Sequence, residues 1–382
     1  MKSQTTSNEV ITIKPFNLKN VFYDKDGYVL ENKGDIGEHI ICVRPTSKKL
    51  LPTITSKILN NKKIIINNYG HSGIGYCISF GSINRSISIF KNLIKEKNIK
   101  LDDEITIIGL GVIGLTTAIT LTYLGFRKIV VIGEKTENIC SIQSGALAEL
   151  TLTFDNNKDK QIMLDMFEET FLTYRKIYND KAHYLNKHIK EVDFYKDIVS
   201  DPGLNNLSKK GIIPPLKKVT LKISGNDNFS IEVFKLKSYL IDTENYMKDL
   251  TKRCLELNIK LVKKKIFDFN EINSNIIFNC AGFGGFILNN DTENADPVCG
   301  HGVYLTSPDT DDGNVCVVLR SIPGLENTEY NGLFYLMPRT RRLIGGSSIK
   351  NDKGDNDKLN KEHITKVVKR ALYILNGIKP KF

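Results

Sequence analysis

The sequence lacks a run of about 18 consecutive apolar residues, so it predicts no membrane-spanning helix. The first residues, Met1 to Asn8, are polar and lack the apolar stretch of a secretory signal. The chain ends in Lys381 and Phe382 rather than in a peroxisomal Ser-Lys-Leu address. We therefore expect a cytoplasmic protein without a membrane partner.

The seven cysteines form no CxxC pair and stand mostly in apolar stretches. This spacing favours reduced thiols over a disulfide framework, and it predicts no metal centre. The sequence also contains no internal repeat and no low-complexity tail.

The composition is that of a folded protein. With 41% hydrophobic and 25% charged residues, the 382-residue chain is not globally disordered, and its length predicts two domains or one large α/β unit. The formal net charge is +11, but the basic residues are spread through a chain that is rich in Asn and Ile. Because a skewed composition explains this excess better than a binding stripe does, we predict no nucleic-acid partner.

The strongest signal is the segment 105–134, which combines a β-branched strand, a GxGxxG fingerprint, a helix, a second strand and an acid. This complete unit is typical of a dinucleotide site. Gly109 permits the tight turn, Gly111 lets a pyrophosphate approach the backbone, and Gly114 lets helix and strand pack closely. Glu134 stands where a carboxylate can accept hydrogen bonds from a ribose. A dinucleotide is therefore the expected ligand.

A second glycine-rich loop lies earlier in the chain, at Asn68–Gly75. It follows the strand-like run Lys63–Ile66 and precedes an apolar-periodic segment, Tyr76–Leu93, so the pattern predicts a strand, a tight loop and a helix. Backbone NH groups of such a loop can approach a ligand closely. A crowded turn without a ligand is the alternative.

The remaining elements are predicted from periodicity and turn residues. A helix is expected near 163–178, and Asp242 or Thr243 is expected to cap a helix that runs to about Leu257. The sequence further predicts strands at 260–269 and 276–279, the second ending in Cys280-Ala281-Gly282, and paired antiparallel strands at 330–338 and 343–346.

Together these motifs resemble the D-amino acid oxidase family of flavoproteins, which also contains glycine oxidase and related amine oxidases. The matching segments are Gly111–Leu115 with Ser141–Leu147, Asn279–Gly282, Tyr335–Pro338 with Gly345-Gly346, and Arg44-Pro45 with Asn68–Gly75. In the family, the Arg-Pro and glycine-rich motifs close the chain, whereas here they precede the dinucleotide unit. The resemblance therefore implies a circularly permuted order, with 91–104 as the new connection.

The resemblance implies an α/β fold: a Rossmann-type FAD-binding domain plus an antiparallel-sheet substrate domain, circularly permuted. It places residues 36–150 with 242–290 in the FAD-binding domain and 151–241 with 291–375 in the substrate domain, after a lead-in segment, 1–35. FAD is the implied cofactor. The implied cofactor-binding residues are Gly109, Gly111, Val112, Ile113, Gly114, Glu134, Lys135, Ser144, Gly145, Ala146, Ile266, Ala281, Gly282, Ser72, Gly73, Gly75, Tyr76 and Cys77.

The resemblance also implies which residues would contact the substrate and the flavin ring. Arg44 matches the arginine that pairs with the substrate carboxylate, a task that suits the guanidinium fork, and Gly73 lies in the loop along the flavin ring. Tyr335 matches a tyrosine of the substrate pocket. Tyr330 is a poorer counterpart of a second pocket tyrosine, because its spacing to Pro338 is one residue longer. A salt-bridged arginine and buried packing aromatics are the structural alternatives.

The chain departs from the family at Pro297–Gly302, where the family has Arg-Gly-Gln. His301 is therefore either a site residue peculiar to this chain or a sheet residue near the cofactor, and the second is favoured. His71 is expected to order its loop rather than to move protons. Cys299 and Cys77 are near enough to the expected site to leave covalent attachment of the flavin open.

The resemblance implies oxidative deamination of a D-amino acid, glycine or a related carboxylate-bearing amine. A hydride would pass from the α-carbon to flavin N5, and molecular oxygen would accept the electrons to give hydrogen peroxide. The absence of a Ser/His/Asp set fits such chemistry, which depends on orientation and on the flavin. A biosynthetic oxidase of an unusual amine, a non-catalytic flavin-binding protein and a nicotinamide-dependent dehydrogenase are the alternatives, and the sequence leaves a homo-oligomer open.

Overall fold

A computed structural model describes residues 9–14, 18–150, 156–197, 202–306 and 315–380 of the chain. These residues form two β-sheets with helices packed on them, which confirms the predicted α/β class with two sheets. Within the described ranges, no helix is both long enough and apolar enough to cross a bilayer. Part of the predicted lead-in, residues 1–8 and 15–17, and the last two residues lie outside the described residues.

The strands are β1 Glu9–Ile13, β2 Ile36–Arg44, β3 Thr53–Ile58, β4 Ile64–Tyr69, β5 Ile105–Ile108, β6 Ile129–Gly133, β7 Ile189–Lys196, β8 Lys217–Ile223, β9 Asn226–Ile241, β10 Lys260–Lys263, β11 Ile276–Asn279, β12 Val298–Leu305, β13 Val315–Leu319, β14 Phe334–Met337 and β15 Leu343–Lys350. The helices are α1 Gly75–Lys97, α2 Val112–Tyr123, α3 Cys140–Gln143, α4 Asn157–Asn179, α5 Pro202–Lys209, α6 Thr243–Glu256, α7 Phe283–Leu288 and α8 Asp357–Asn376.

The six-stranded sheet has the order β10-β6-β5-β11-β4-β3 and is parallel except for the β3–β4 pair. Its central strands β4, β5 and β11 are buried along their whole length, as expected for strands covered on both faces. The predicted strand, fingerprint, helix and strand are confirmed as β5, α2 and β6. The carboxyl ends of these parallel strands meet at one edge of the sheet, where a ligand of an α/β fold binds.

The nine-stranded sheet has the order β1-β8-β9-β7-β13-β14-β15-β12-β2 and is mainly antiparallel. The predicted pair of strands near the end of the chain is confirmed as β14 and β15. Helix α8 packs on β12 and β15 and closes a second hydrophobic core on that side of the sheet.

The observed pairing of two segments differs from what the predicted boundaries imply. Residues 36–44 pair with β12 in the nine-stranded sheet, although the boundary at residue 36 assigned them to the FAD-binding half. Part of the lead-in also forms a strand, because Glu9–Ile13 pairs in parallel with β8.

The predicted strand at 260–269 ends at Lys263, since the chain then turns and buries Ile266 in a small third core.

Candidate active site

The glycines of the fingerprint occupy positions that exclude a side chain. Gly109 has a φ of 120°, and a Cβ on it would overlap the carbonyl oxygen of Cys280 on the neighbouring strand. A Cβ on Gly114 would overlap the carbonyl oxygen of Gly109, so helix α2 can approach the strand only with glycine there. A Cβ on Gly111 would lie 2.9 Å from Oγ of Ser141. The contacts at Gly109 and Gly114 are those of a tight turn and of a helix packed closely on its strand.

The N-terminus of α2 faces the same edge of the sheet. Val112 and Ile113 form its buried first turn, and Val112 N–H donates to Ser141 Oγ over 3.0 Å. The turn contains no acidic residue. Because the positive end of a helix favours an anion, this end of α2 suits a pyrophosphate.

Glu134 and Lys135 directly follow β6 and are exposed. The Glu134 carboxylate lies 3.1 Å from Lys265 Nζ, in a pair whose side chains are each about half exposed (50% and 52%). Such a pair is worth little, so the carboxylate stays available to a ribose hydroxyl. The neighbouring Ile266 is buried beside this end of the sheet.

The segment after α3 leaves buried polar atoms without protein partners. Ser144 Oγ and Gln143 Oε1 are buried and have no hydrogen-bond partner within the described part of the chain. Ala146, two residues after Ser144, has a φ of 52°, and its carbonyl accepts from Ile241 N–H. A Cβ on Gly145, which lies between them, would be 3.8 Å from Met337 Cε and Cγ. The orphaned atoms indicate a polar ligand, because buried polar groups are normally hydrogen-bonded.

A third part of the edge comes from the strand end at Ala281 and Gly282. Ala281 continues the backbone that lies against the fingerprint turn, at the nearby Gly109. Gly282 has a φ of 57°, and a Cβ on it would meet no atom within 4 Å. Space therefore exists beside this backbone for a bound group.

The glycine-rich loop is a left-handed turn that leads into α1. Gly70, Ser72 and Gly73 have φ values of 79°, 51° and 79°, and Gly75 begins the helix. Asn68, at the end of β4, is fully buried, and neither its Nδ2 nor its Oδ1 has a partner in the described structure. The loop thus provides a second set of unsatisfied polar groups close to its turn.

Helix α1, which follows the loop, is hydrogen-bonded to the segment 141–147 beside the fingerprint. Tyr76 donates its hydroxyl to the Ser141 carbonyl over 2.6 Å. The buried Cys77 thiol donates to the Leu147 carbonyl over 3.2 Å. Both side chains therefore hold α1 against the 141–147 segment.

Arg44 ends β2 with its side chain between two glycines. A Cβ on Gly73 would lie 2.7 Å from Arg44 Cδ, and a Cβ on Gly300 would lie 3.0 Å from Arg44 Nη2. The half-buried guanidinium has no hydrogen bond or ion pair with any residue that the structure describes. The structure thus brings Arg44 to the glycine-rich loop, and among the described residues it leaves the donors of the guanidinium free for an anion.

Tyr335 lies close to Arg44. Its ring covers Gly345, the residue opposite on β15, and a Cβ there would overlap the tyrosine hydroxyl. Burial raises the pKa of Tyr335, while the positive charges of Arg44 and Arg339 act in the opposite direction. Tyr335 is therefore a neutral hydroxyl within reach of the charge of Arg44.

Tyr330 lies on the other face of the sheet. Along β14, Tyr335 packs against the first core, whereas Phe334 and Leu336 face the second core, in which Tyr330 is buried. The Tyr330 hydroxyl accepts from Lys369 Nζ over 3.3 Å. The structure therefore does not bring Tyr330 to Arg44, and the longer spacing to Pro338 had already made it the poorer counterpart.

His301 is a sheet residue that contacts α8. Its Nε2 hydrogen-bonds Oδ1 of Asn360 over 2.9 Å, and burial lowers its pKa. Cys299, two residues earlier, is also buried, 3.2 Å from the position of a Cβ on Gly354. His301 is thus a sheet residue that is hydrogen-bonded to α8 and lies within reach of the charge of Arg44.

Arg339 is a residue of the site that the sequence analysis missed. It is buried, and its Nη1 donates to the carbonyl of Ser144 over 2.8 Å and to Oγ1 of Thr243. Arg339 Nε has no partner in the described part of the chain. Arg339 thus fixes the 144–146 loop from the nine-stranded sheet. Its position directly after the Tyr335–Pro338 motif was the available signal.

His71 makes the stability of the fold depend on pH. Burial lowers its pKa to about 4, and Nε2 lies 3.1 Å from Ser82 Oγ. Between this pKa and the ordinary value of 6.5, the unfolded chain binds a proton that the folded chain does not. The free energy of unfolding therefore falls as the pH decreases through that window. His71 contributes up to about 1.4 kcal/mol per pH unit to this fall, and above pH 6.5 it adds no pH dependence.

We expect the His71→Gln variant to lose this part of the acid sensitivity. Urea unfolding of the wild type and the variant between neutral pH and the acid end of the window measures the difference. All other ionisable groups are the same in both proteins, so their contributions cancel in the comparison. Equal pH slopes for the two proteins would contradict the assigned role of His71.

No protein-family model and no curated protein sequence matches the chain. Solved structures are similar to it. Glycine oxidase from Bacillus cereus ATCC 14579 is 15% identical, with 72% of this chain and 79% of that chain covered and a TM-score of 0.48. Iminodiacetate oxidase from Chelativorans sp. BNC1 is 12% identical, with coverages of 72% and 79% and a TM-score of 0.47. Fructosamine oxidase from Aspergillus fumigatus is 14% identical, with coverages of 65% and 64% and a TM-score of 0.47.

All three of these proteins are oxidases, and glycine oxidase belongs to the family whose motifs the sequence resembles. The substrates in their names are properties of those proteins.

Proposed function

We propose that the chain is a FAD-dependent oxidase that deaminates a D-amino acid, glycine or a related carboxylate-bearing amine. The observation that carries this proposal is the unpartnered guanidinium of Arg44, placed between Gly73 and Gly300. A half-buried arginine without a carboxylate beside it is a site for a planar anion, because its fork makes two parallel charge-assisted hydrogen bonds.

The residues at the sheet edge fit FAD. The ADP half would lie against Gly109, Gly111 and the first turn of α2, with Glu134 at the ribose. The orphaned oxygens of Ser144 and Gln143 would receive partners from the bound group. The glycine-rich loop would approach the flavin ring with its backbone.

The side chains of this protein would bind and orient the substrate. Arg44 would hold the carboxylate, and the neutral Tyr335 hydroxyl would line the same pocket and offer a hydrogen bond. Bound FAD would supply the redox chemistry, which is removal of a hydride from the α-carbon and transfer of the electrons to oxygen to give hydrogen peroxide. His71 is buried, neutral at neutral pH and hydrogen-bonded to Ser82, so it orders the loop and moves no proton.

The permuted order is part of the proposal. Strands β4 and β5 both pair with β11, and residues 98–104 connect the end of α1 to β5. This connection therefore joins neighbouring parts of one sheet, as expected where a circular permutation links the former chain ends. A cytoplasmic location and the two discontinuous domains are likewise proposals.

Three other functions share some of these features. A nicotinamide-dependent dehydrogenase would use the fingerprint but would not need the glycine-rich loop beside Arg44. A non-catalytic flavin-binding protein would bind FAD without turnover. A biosynthetic oxidase of an unusual amine would use the same site with a substrate outside the common amino acids.

Peroxide production separates these functions. We would incubate the FAD-loaded chain in air with D-amino acids, glycine, iminodiacetate and L-enantiomers, and measure peroxide and oxo acid together. The proposed oxidase gives both products in equal amounts with one group of carboxylate-bearing amines. Bound flavin without peroxide from any amine would favour the binding protein, and nicotinamide reduction would favour the dehydrogenase.

A further inference from the structure

Two cysteines from distant parts of the sequence meet beside the candidate site. Sγ of Cys42 lies 2.9 Å from Sγ of Cys140, although 98 residues separate them in the sequence. Of the seven cysteines, these two are half-buried, and the other five are buried. A disulfide has an S–S length of about 2.05 Å, so the two sulfur atoms need to approach by only about 0.9 Å to bond.

The pair lies between the two parts of the proposed site. Cys42 stands two residues before Arg44 on β2, so the two side chains share one face of the strand. Cys140 begins α3 and directly precedes Ser141, whose Oγ accepts from Val112 N–H. A bond between the sulfurs would therefore connect the strand of the substrate anchor to the segment that contacts the fingerprint.

The surroundings of the pair favour one thiol as the nucleophile. The Cys42 thiol donates to Cys140 Sγ, and this hydrogen bond, together with the positive charge of Arg44, lowers the pKa of Cys140. The same hydrogen bond raises the pKa of Cys42. The Cys140 thiol in turn donates to the Val43 carbonyl over 2.9 Å, which holds its sulfur beside Cys42. Cys140 is thus the more acidic thiol of the pair, and its sulfur is the nucleophile once that proton is lost.

We propose that Cys42 and Cys140 are a peroxide-oxidised pair that closes to a reversible disulfide beside the active site. In the first step, the Cys140 thiolate attacks one oxygen of hydrogen peroxide, the O–O bond breaks, and hydroxide leaves, giving the sulfenic acid. In the second step, Cys42 sulfur attacks Cys140 sulfur, the S–O bond breaks, and the Cys42 proton leaves with the hydroxyl as water. Two thiols and one peroxide become one disulfide and two waters.

Only the source of the oxidant rests on the proposed function, because an amine oxidase would release peroxide next to this pair. The test therefore uses added hydrogen peroxide and a readout that does not depend on turnover. The reduced full-length chain is treated with equimolar peroxide, alkylated, digested without reductant and analysed by mass spectrometry. A peptide pair linked through Cys42 and Cys140 is expected, at a mass about 2 Da below the sum of the free peptides, and dithiothreitol should release it.

Single variants test the order of the two steps. Cys42→Ser should accumulate a sulfenic acid at Cys140 that dimedone traps, whereas Cys140→Ser should leave Cys42 a free thiol. Cys254→Ser, which removes a fully buried thiol of α6, is the matched control and should form the linked peptide as the wild type does.

Two results would overturn the proposal: no linked peptide in the wild type, or oxidation of the buried cysteines before Cys140. Because neither readout requires substrate, a chain that forms the disulfide but oxidises no amine would refute the proposed function alone. A chain that oxidises amines without forming the link would refute the disulfide alone.

Discussion

Replacing Arg44 with Met is expected to lower kcat/KM for carboxylate-bearing amines by about a hundredfold to a thousandfold, while FAD stays bound. The substitution removes charge-assisted hydrogen bonds to the substrate, and truncating one partner of a buried charge pair costs roughly 2–5 kcal/mol. Met fills much of the volume between Gly73 and Gly300, so the loop keeps its support. Steady-state peroxide kinetics and the flavin content of the purified variant measure the two effects.

The matched control is Arg127→Met. Arg127 is exposed, and its guanidinium lies 3.5 Å from the Asp102 carboxylate in a surface pair that contributes little. This variant should keep wild-type kinetics. An amine that lacks the carboxylate provides a second control, because the wild type and Arg44→Met should oxidise it equally slowly. Unchanged turnover of carboxylate substrates by Arg44→Met would refute the substrate-anchor role.

Replacing Gly111 with Ala is expected to weaken FAD binding at least about tenfold and to leave the fold intact. Gly111 has a φ of −87°, which alanine adopts without strain, and the new Cβ would meet only the Ser141 side chain, 2.9 Å from its Oγ. That methyl group would stand where the pyrophosphate must approach the backbone. We expect the FAD dissociation constant to rise at least about tenfold, equivalent to about 1.4 kcal/mol. Titration of the apoprotein with FAD, followed by flavin fluorescence, measures it.

Gly284→Ala is the control for this substitution. Gly284 lies inside α7, and a Cβ there would make an ordinary contact, 3.6 Å from Ala281 Cβ. Its FAD affinity should equal that of the wild type, and both variants should unfold at similar urea concentrations. Wild-type FAD affinity in Gly111→Ala would contradict the assignment of the pyrophosphate site.

The parts of the site that depend on local sequence were predictable. Strand, fingerprint, helix and strand follow one another within 105–134, so spacing alone identifies them. The glycine-rich loop was predictable for the same reason. The contact between the loop and Arg44 is tertiary, and only the resemblance to a family linked the two segments.

The errors concern long-range pairing. Nothing near residues 36–44 indicates that this strand pairs with β12, since the partner lies some 260 residues later in the sequence. For Tyr330, alternation along a strand assigns a face only within the strand, and β14 begins at Phe334. Arg339 and the pair of Cys42 with Cys140 were missed because each depends on packing between the nine-stranded sheet and the segment 140–146.

An anaerobic absorbance spectrum of the purified chain, recorded before and after the addition of D-amino acids, glycine and L-enantiomers, tests the central proposal most directly. We predict flavin bands that bleach with one group of carboxylate-bearing amines and return when air is admitted. A chain that binds no flavin, or whose flavin no amine in the panel bleaches, would contradict the proposed oxidase.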